Sequence, residues 1–301
     1  MCGLCGFTGE IIDRDAVLEN MTEVITPRGP DSKGFYTDED ISMGFRRLSI
    51  IDLDNGSQPI YNEDKTLVLM FNGEIYNYQQ LRRELVEKGH RFATDTDSEV
   101  LVHGFEEWKE GLLNRLRGMF GFAIWNRVDK SLFIARDFFG IKPMHYAQVG
   151  DHFVYASEIK SILKFPGFEK KFNYRTLDNY LSFQYAVPPE TFFEGVYCLL
   201  PGHYLWYKDG KVETTRYWEA RFNPDESLTE EQAVDEIEKV FEESVNAHKI
   251  SDVEVGCFLS SGVDSSYVST YFADQKTFTV GFDFGERYNE ISWAERLSEK
   301  I

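Results

Sequence analysis

Short runs of apolar residues recur along the first two-thirds of the chain, separated by polar turns. Each run is continuous and of strand length, which is typical of strands buried on both faces. The runs occupy residues 67–71, 120–125, 132–135 and 153–156. An Asp209-Gly210 pair between the strand-like segments 204–208 and 211–215 predicts a tight hairpin.

Two segments of the same region space their apolar residues as a helix does. Residues 78–88 do so through Leu81 and Leu85, and a second segment begins after Thr96. Residues 96–99 also have the sequence of a helix-capping box. Strands and helices in this arrangement predict a layered α+β domain.

The pattern changes abruptly at residues 219–228, which we interpret as a linker around Asn223-Pro224-Asp225. A long acidic helix is expected from Thr229, where Gln232 completes a helix-start signal. The order then becomes strand 253–259, loop, helix from Ser265, strand 277–282 and helix 289–300. This order predicts a parallel sheet. Because two strands cannot complete such a sheet, we expect 229–301 to be the beginning of a larger domain.

Bulk properties narrow the class of protein. A chain of 301 residues, 42% hydrophobic, is long enough for about two folded domains. Its formal net charge of −19 opposes binding to nucleic acid or to an anionic membrane surface. The chain has no apolar run of the ~18 residues that a membrane helix needs, and its four cysteines lack a framework spacing. We therefore expect a cytoplasmic protein without nucleic-acid or membrane partners.

The strongest chemical signal is the start, Met1-Cys2-Gly3-Leu4-Cys5. Removal of Met1 would leave Cys2 with a thiol and a free α-amine, whose ordinary pKa values are near ~8.5 and ~7.7–8.0. The amine could then accept the thiol proton. Two other interpretations stay open at this point. Cys2 could be the small apolar start of a buried strand, or Cys2 and Cys5 could form a redox or zinc C-x-x-C pair.

Three further residue groups suit substrate binding, each with an ordinary alternative. Asn72-Gly73 is a strong hairpin signal, but a side-chain amide beside a glycine N–H also suits an oxyanion hole. Arg47 could clamp a carboxylate or form a surface ion pair. Asp97 is favoured by the dipole of the helix it starts, and could equally hold an ammonium group. The turn at 28–31 is expected to have a structural role only.

The loop at 260–266 places a glycine and several hydroxyls between a predicted strand and a predicted helix. Such a loop can cradle an anion with backbone N–H groups and hydroxyls, although it lacks the lysine of a P-loop. The six histidines show no metal or triad spacing, so the sequence predicts no metal site.

Taken together, these stretches resemble the glutamine-hydrolysing asparagine synthetases, in which a class II glutamine amidotransferase domain precedes an ATP-pyrophosphatase-type synthetase domain. The matching stretches are residues 1–3, 28–31, 47–52, 58–59, 71–77, 97–99, 136–137 with Gly140, 156–160 and 259–266. The resemblance implies an N-terminal-nucleophile hydrolase fold for 1–218, which is a four-layer αββα sandwich. It also implies, for 229–301, the beginning of an α/β parallel-sheet domain of the adenine nucleotide α-hydrolase type.

The resemblance also implies roles in the first domain. Cys2 would attack the side-chain amide of glutamine, while Asn72 and the N–H of Gly73 hold the oxyanion. Arg47 would bind the α-carboxylate of glutamine, and Asp97 its α-ammonium group. The glutamine-binding residues implied in full are Arg47, Leu48, Ile50, Asn72, Gly73, Glu74 and Asp97. No cofactor is expected in this half.

In the second domain, the family activates aspartate with ATP and Mg²⁺ as an acyl adenylate, and ammonia reaches it through an internal channel. The residues implied to bind ATP or pyrophosphate are Leu259, Ser260, Ser261, Gly262, Asp264, Ser265 and Val280. Ser261 stands where many relatives carry glycine.

Limits on this expectation follow from the same resemblance. We expect the chain alone to be competent only for glutamine hydrolysis, with a homodimer as the candidate assembly. Two alternatives are kept: an amidotransferase for another carboxylate acceptor, and, if Met1 is retained, a non-enzymatic glutamine-binding or assembly module.

Overall fold

The computed structural model describes residues 1–53, 55–272, 275–282, 285 and 289–300. The chain divides into two compact units, Met1–Arg221 and Phe222–Ile301. The division falls inside the predicted linker at 219–228. Across the described residues, no helix combines the length and the apolar character that a membrane crossing requires.

The first unit contains two six-stranded sheets in which neighbouring strands run antiparallel. Sheet A consists, in spatial order, of β10 (Val196–Cys198), β8 (His145–Val149), β9 (His152–Ala156), β1 (Gly3–Thr8), β3 (Ile41–Arg47) and β2 (Ser32–Thr37). Sheet B consists of β12 (Lys211–Arg216), β11 (His203–Lys208), β7 (Ser131–Arg136), β6 (Gly118–Asn126), β5 (Leu67–Ile75) and β4 (Ile60–Tyr61). The strand β1 is therefore central in its sheet.

Helices accompany both sheets. They are α1 (Arg14–Glu23), α2 (Tyr78–Glu87), α3 (Glu99–Trp108), α4 (Ile159–Ile162) and α5 (Tyr174–Phe183), with 3₁₀ turns at Thr26–Arg28 and Lys109–Arg115.

The alternation of side chains along the strands creates three apolar layers. In β1, Leu4 packs between the two sheets, whereas Cys5 and Phe7 pack on the opposite face with α1 and α4. In β5, Val68 and Met70 face the space between the sheets, and the alternate residues face α2 and α3. The resulting order of layers is helix, sheet, sheet, helix, which confirms the αββα sandwich.

Of the two local motifs predicted in the first unit, one is confirmed and one is wrong. The hairpin is confirmed, since Lys208 pairs with Lys211 and the two turn residues, Asp209 and Gly210, have φ of 50° and 75°. The capping box at 96–99 is wrong, because the Glu99 carboxylate accepts the N–H groups of Ala93 and Thr94 at 2.7 Å instead. Tertiary partners outside the helix compete here with the local motif.

In the second unit, α6 (Glu230–Ala247) begins at a capping box formed by Thr229 and Gln232, as the sequence predicts. A parallel pair, β13 (Cys257–Phe258) and β14 (Thr277–Phe278), precedes and follows α7 (Val263–Thr270), and α8 (Ile291–Ser298) closes the unit. Parallel pairing is confirmed, but both strands are shorter than 253–259 and 277–282. None of the α6 residues is buried within the described chain.

Candidate active site

Cys2 lies at the open end of the central strand β1, beside the end of β3. Its Sγ is 3.5 Å from the carbonyl oxygen of Leu48 and accepts the Leu48 N–H at 3.3 Å. The two residues meet because β1 and β3 are paired, with Gly3 opposite Arg46. The pairing therefore brings the start of the chain to the Leu48 backbone, as the proposed glutamine pocket requires.

The thiol and the α-amine beside it are both partly shielded from water. Burial raises the pKa of the Cys2 thiol, and the Leu48 N–H opposes that rise. Burial also lowers the pKa of the α-amine, which belongs to Met1 in this structure. A raised thiol pKa disfavours spontaneous ionisation, so a nucleophilic Cys2 needs a base close by.

The turn at 28–31, read from the sequence as structural, holds the backbone around Cys2. The Arg28 Nε donates to the carbonyl oxygen of Cys2 at 2.8 Å, and its Nη1 pairs with Glu158 at 3.0 Å. Asp31 accepts the N–H of Ser49 at 2.8 Å. The turn thus fixes both the Cys2 backbone and the segment that follows Leu48.

Arg47 is the last residue of β3. Its guanidinium is buried and lines a cleft together with Cys2. It donates to the carbonyl oxygens of Leu53 and Ile51 at 3.1 Å and of Asp52 at 2.6 Å. A Cβ on Gly56 would lie 2.1 Å from Arg47 Nη2, so the approach of this loop requires glycine. These carbonyl groups hold the guanidinium in place without neutralising its charge.

Asn72 and Gly73 lie within β5 and pair with Gly121 and Phe120 of β6, so they do not form a hairpin turn. Asn72 is 1% exposed, and its Nδ2 is buried without a hydrogen-bond partner among the described residues. Leaving a buried donor unpaired costs about 1–3 kcal/mol. By alternation, Asn72 shares the face of β5 that packs between the sheets, where Cys2 also packs.

Glu74 and Asp97 form an acidic pair in the cleft, in which Asp97 is buried and Glu74 is half-buried. Burial raises the pKa of Asp97 to about 7, and burial together with the charge of Asp97 raises that of Glu74 to about 8. The Ile75 N–H donates to Asp97 Oδ2 at 2.8 Å and fixes that carboxylate. A ligand cation between the two groups would favour their ionised forms.

A single cleft joins these groups. Its cavity volume is about 40 Å³, which is room for a few water molecules. Its lining residues are Cys2, Arg47, Leu48, Ile50, Ile51, Gly56, Gln58, Phe71, Gly73, Glu74, Thr96, Asp97 and Ser98. The cleft therefore collects the sequence-predicted glutamine-binding residues, with Asn72 adjoining it through Gly73.

Sequence reasoning missed Lys142, whose side chain is buried beside this site. Burial lowers the pKa of Lys142, while Glu74 and the Cys2 thiol act to raise it. The Asp137 carboxylate accepts the Lys142 N–H at 2.9 Å, and Arg136 Nε donates to the Lys142 carbonyl oxygen at 2.8 Å. The Arg136-Asp137 pair was the available signal, since it builds the loop that carries the lysine.

The cysteines do not support a C-x-x-C site. All four are free, and Cys5 Sγ contacts Thr22 Oγ1 at 3.4 Å on the helix-covered face of β1. Cys2 packs against the layer between the sheets instead. The two sulfurs therefore belong to different layers.

In the second unit, serine hydroxyl groups of the 260–265 loop form hydrogen bonds within the same loop. Ser260 Oγ lies 2.7 Å from Ser265 Oγ and accepts the Gly262 N–H at 3.1 Å. Ser261 Oγ instead donates to Glu290 at 2.6 Å. The flanking residues differ in burial, since Leu259 is buried and Val280 is exposed. Asp264 lies in the first turn of α7.

We expect the acidic pair to make the ligand-free chain less stable as pH rises from 6 to 8. The native carboxyls hold protons that the unfolded chain releases near its ordinary pKa, so the native state binds more protons and loses stability with rising pH. Glu74→Gln should remove about 1–3 kcal/mol of this loss, one pKa unit being about 1.4 kcal/mol. Thermal unfolding at several pH values measures it, with Glu87→Gln on the exposed side of α2 as control. Parallel pH profiles for wild type and Glu74→Gln would contradict this.

Comparisons with known proteins agree with the geometry. A family model described as a glutamine amidotransferase domain matches residues 1–218, and one described as asparagine synthase matches residues 236–301. The fold resembles glutamine phosphoribosylpyrophosphate amidotransferase from Bacillus subtilis, with a TM-score of 0.55 at 17% identity over 98% of this chain and 70% of that one.

The αββα sandwich is the fold of this structural relative. Because the family model covers residues 1–218, the chain belongs to the glutamine amidotransferase domain family. Among curated relatives, it is similar to asparagine synthetases [glutamine-hydrolyzing] 1 and 2 of Bacillus subtilis. The identities are 41% over 99% of this chain and 37% over 93%. These matches cover 49% and 40% of the relatives, so the chain spans about half the length of the curated relatives it matches.

Proposed function

We propose that this chain hydrolyses the side-chain amide of glutamine to give glutamate and ammonia, with Cys2 as nucleophile once Met1 is removed. The observation that carries the proposal is the single cleft in which the Cys2 thiol lies with the buried Arg47 guanidinium and the carboxyl groups of Glu74 and Asp97. Free glutamine presents a carboxylate, an ammonium group and an amide, which are the complements of these three features.

The cleft supplies complementary groups for the two ends of the substrate. Arg47 offers a fixed positive charge to the α-carboxylate, and charge-assisted hydrogen bonds of this kind are the stronger class. Asp97 and Glu74 receive the α-ammonium group, which offsets the repulsion between them. The backbone at Leu48 and Ile50 borders the side chain of glutamine.

The reaction proceeds through a thioester. The Cys2 α-amine takes the thiol proton, and the thiolate adds to the amide carbon. Asn72 Nδ2–H and the Gly73 N–H stabilise the resulting oxyanion. The protonated α-amine of Cys2 returns this proton to the departing amide nitrogen as the carbon–nitrogen bond breaks, and ammonia leaves. Water, deprotonated by the same amine, then adds to the thioester carbon and releases glutamate and the thiol.

A direct test uses the purified full chain. Glutamate and ammonia should form in equal amounts from glutamine, and a glutamine-analogue electrophile should add to Cys2, as seen by peptide mass spectrometry. Intact mass should show loss of Met1 in the active material. Full activity in a chain that retains Met1 would overturn the proposed base, and glutamine binding without turnover would favour a binding module.

Arg47→Ala is expected to raise the KM for glutamine about 10–100-fold while kcat changes much less. The guanidinium contacts the α-carboxylate equally in the ground and transition states, so its loss removes uniform binding. The magnitude corresponds to about 1.5–3 kcal/mol for a hydrogen bond to a charged group. Steady-state kinetics over a wide glutamine range measure both constants.

The matched variant is Arg47→Lys, which keeps the charge but loses the fork that contacts Ile51, Asp52 and Leu53. We expect an intermediate KM. A large fall in kcat with an unchanged KM in Arg47→Ala would contradict a role in substrate binding.

The second unit supports a further part of the proposal. Residues 236–301 match the asparagine synthase model, and we propose that the 260–265 loop contacts the phosphates of ATP, with Mg²⁺ as part of the substrate complex. Where a complete synthetase domain is present, ammonia would amidate an ATP-activated aspartate. Asparagine formation by this 301-residue chain alone would contradict our expectation that it supports glutamine hydrolysis only. An acceptor other than aspartate is the second candidate, because acceptor contacts are not identified among these residues.

A further inference from the structure

We propose that Glu63, His90, His103 and Glu106 form a binding site for a divalent ion of the zinc class. One potential ligand atom from each residue lies within 4.8 Å of those of the other three. The residues come from the turn between β4 and β5, the loop after α2, and α3 itself. These residues show no metal-ligand spacing in the sequence, because only the folded sheet and helices bring their segments together.

Each carboxylate oxygen of Glu63 faces one of the two imidazole rings. Its Oε1 lies 3.1 Å from His90 Nδ1, and its Oε2 lies 3.1 Å from His103 Nδ1. A tetrahedral zinc ion with bonds of ~2.0–2.1 Å separates its ligand atoms by about 3.3 Å. The two distances from the Glu63 oxygens to the ring nitrogens are therefore close to the distance between neighbouring ligand atoms in such a site.

A second pair of carboxylates orients the two rings. His90 Nε2 lies 3.3 Å from Glu107 Oε1, and His103 Nε2 lies 3.2 Å from Glu99 Oε1. A carboxylate acceptor favours the tautomer with the proton on Nε2, which leaves the lone pair on Nδ1. Both lone pairs then point toward Glu63, and a carboxylate behind each histidine is the usual support of a metal-binding imidazole.

His103 provides the independent sign of a missing positive charge. Its side chain is 1% exposed, and its Nδ1 has no hydrogen-bond partner among the described residues although it lies 3.1 Å from Glu63 Oε2. With Nε2 protonated, two lone pairs face each other across that distance. A cation bound between them would turn this repulsion into two bonds.

The donor set selects the kind of ion. Two imidazole nitrogens and two carboxylate oxygens suit zinc and its neighbours, whereas Ca²⁺ and Mg²⁺ prefer oxygen ligands alone. Asn62 Nδ2 donates to Glu106 Oε2 at 3.1 Å and holds this fourth potential ligand within the cluster. The two carboxylates would neutralise the charge of one divalent ion.

An ion here would stabilise the segment that leads to the cleft without taking part in the reaction. Glu99, which orients His103, also accepts the N–H groups of Ala93 and Thr94 at 2.7 Å. These residues precede Asp97 on the same segment. Ion binding should therefore raise the melting temperature of the chain.

The test uses the full chain after treatment with a chelator, titrated with Zn²⁺ by calorimetry at pH 7.5. We expect one ion per chain and a higher melting temperature, and Co²⁺ should give the visible absorption of a tetrahedral site. Glu107→Gln should weaken Zn²⁺ binding about 10–100-fold through the loss of ring orientation. His90→Gln and Glu106→Gln should weaken it at least as much.

Two controls separate this site from others. His203→Gln and Cys2→Ala should bind Zn²⁺ as the wild type does, since neither residue belongs to the cluster. Glu106 is exposed, so its variant tests the site even if a histidine variant fails to fold. Absence of tight Zn²⁺ binding, equal binding by Glu106→Gln and wild type, or loss of binding in Cys2→Ala would each overturn the proposal.

Discussion

Cys2→Ala should abolish glutamine hydrolysis, lowering kcat by at least about 10⁴-fold. The variant keeps a small residue after Met1 and keeps the α-amine, so only the sulfur is lost. Without a thiolate no thioester can form, and the remaining groups can only bind and polarise the amide. Release of glutamate measures the rate, and mass spectrometry of quenched reactions should detect the thioester in the wild type alone.

Cys257→Ala is the matched control, because this thiol lies in the second unit at β13. It should leave glutamine hydrolysis at the wild-type rate. Cys2→Ala activity within tenfold of the wild type would place the nucleophile elsewhere, and the proposed mechanism would then fail.

Asn72→Ala should lower kcat about 10²–10³-fold and change KM little. This is the usual effect of removing one oxyanion donor, about 2.7–4 kcal/mol in the transition state. The structural reason is the buried Nδ2, which has no partner in the described part of the chain and is therefore a donor available to a ligand. Asn72→Asp should be at least as slow, because a carboxylate of similar shape opposes a developing negative charge.

Asn55→Ala, in the exposed loop before Gly56, serves as the control for the Asn72 variants. Thermal unfolding should be measured for each protein, so that lost activity is not confused with lost structure. An Asn72→Ala enzyme with unchanged kcat and a raised KM would show that the amide binds the ground state rather than the oxyanion.

The sequence predicts about half of the first unit's strands, namely those with continuous apolar runs and the two strands of the hairpin at Asp209-Gly210. The runs at 67–71 and 120–125 belong to β5 and β6, whose alternate residues pack in two different layers. What it lacks is the partner of each strand. Asn72-Gly73 looks like a turn until β6 is placed beside it, and only that pairing keeps β5 extended to Ile75.

Groups that act through distant partners were the hardest to predict. Lys142 lies beside the cleft because Asp137 and Arg136 hold its backbone. The His90 and His103 rings lie close together although His90 is in the loop after α2 and His103 is in α3. In the second unit, by contrast, one feature could be predicted because it depends on local sequence alone. Its helix start at Thr229 was predictable because the capping box is local, whereas the ends of its short strands depend on neighbours.

The position of β1 has a consequence for synthesis on the ribosome. Part of the support of β1 is synthesised much later than β1 itself, since the Leu4 N–H donates to Ser157 Oγ across a separation of 153 residues. Strand pairs with such distant members form slowly. We therefore expect the proposed active site around Cys2 to form only after β9 has joined the sheet.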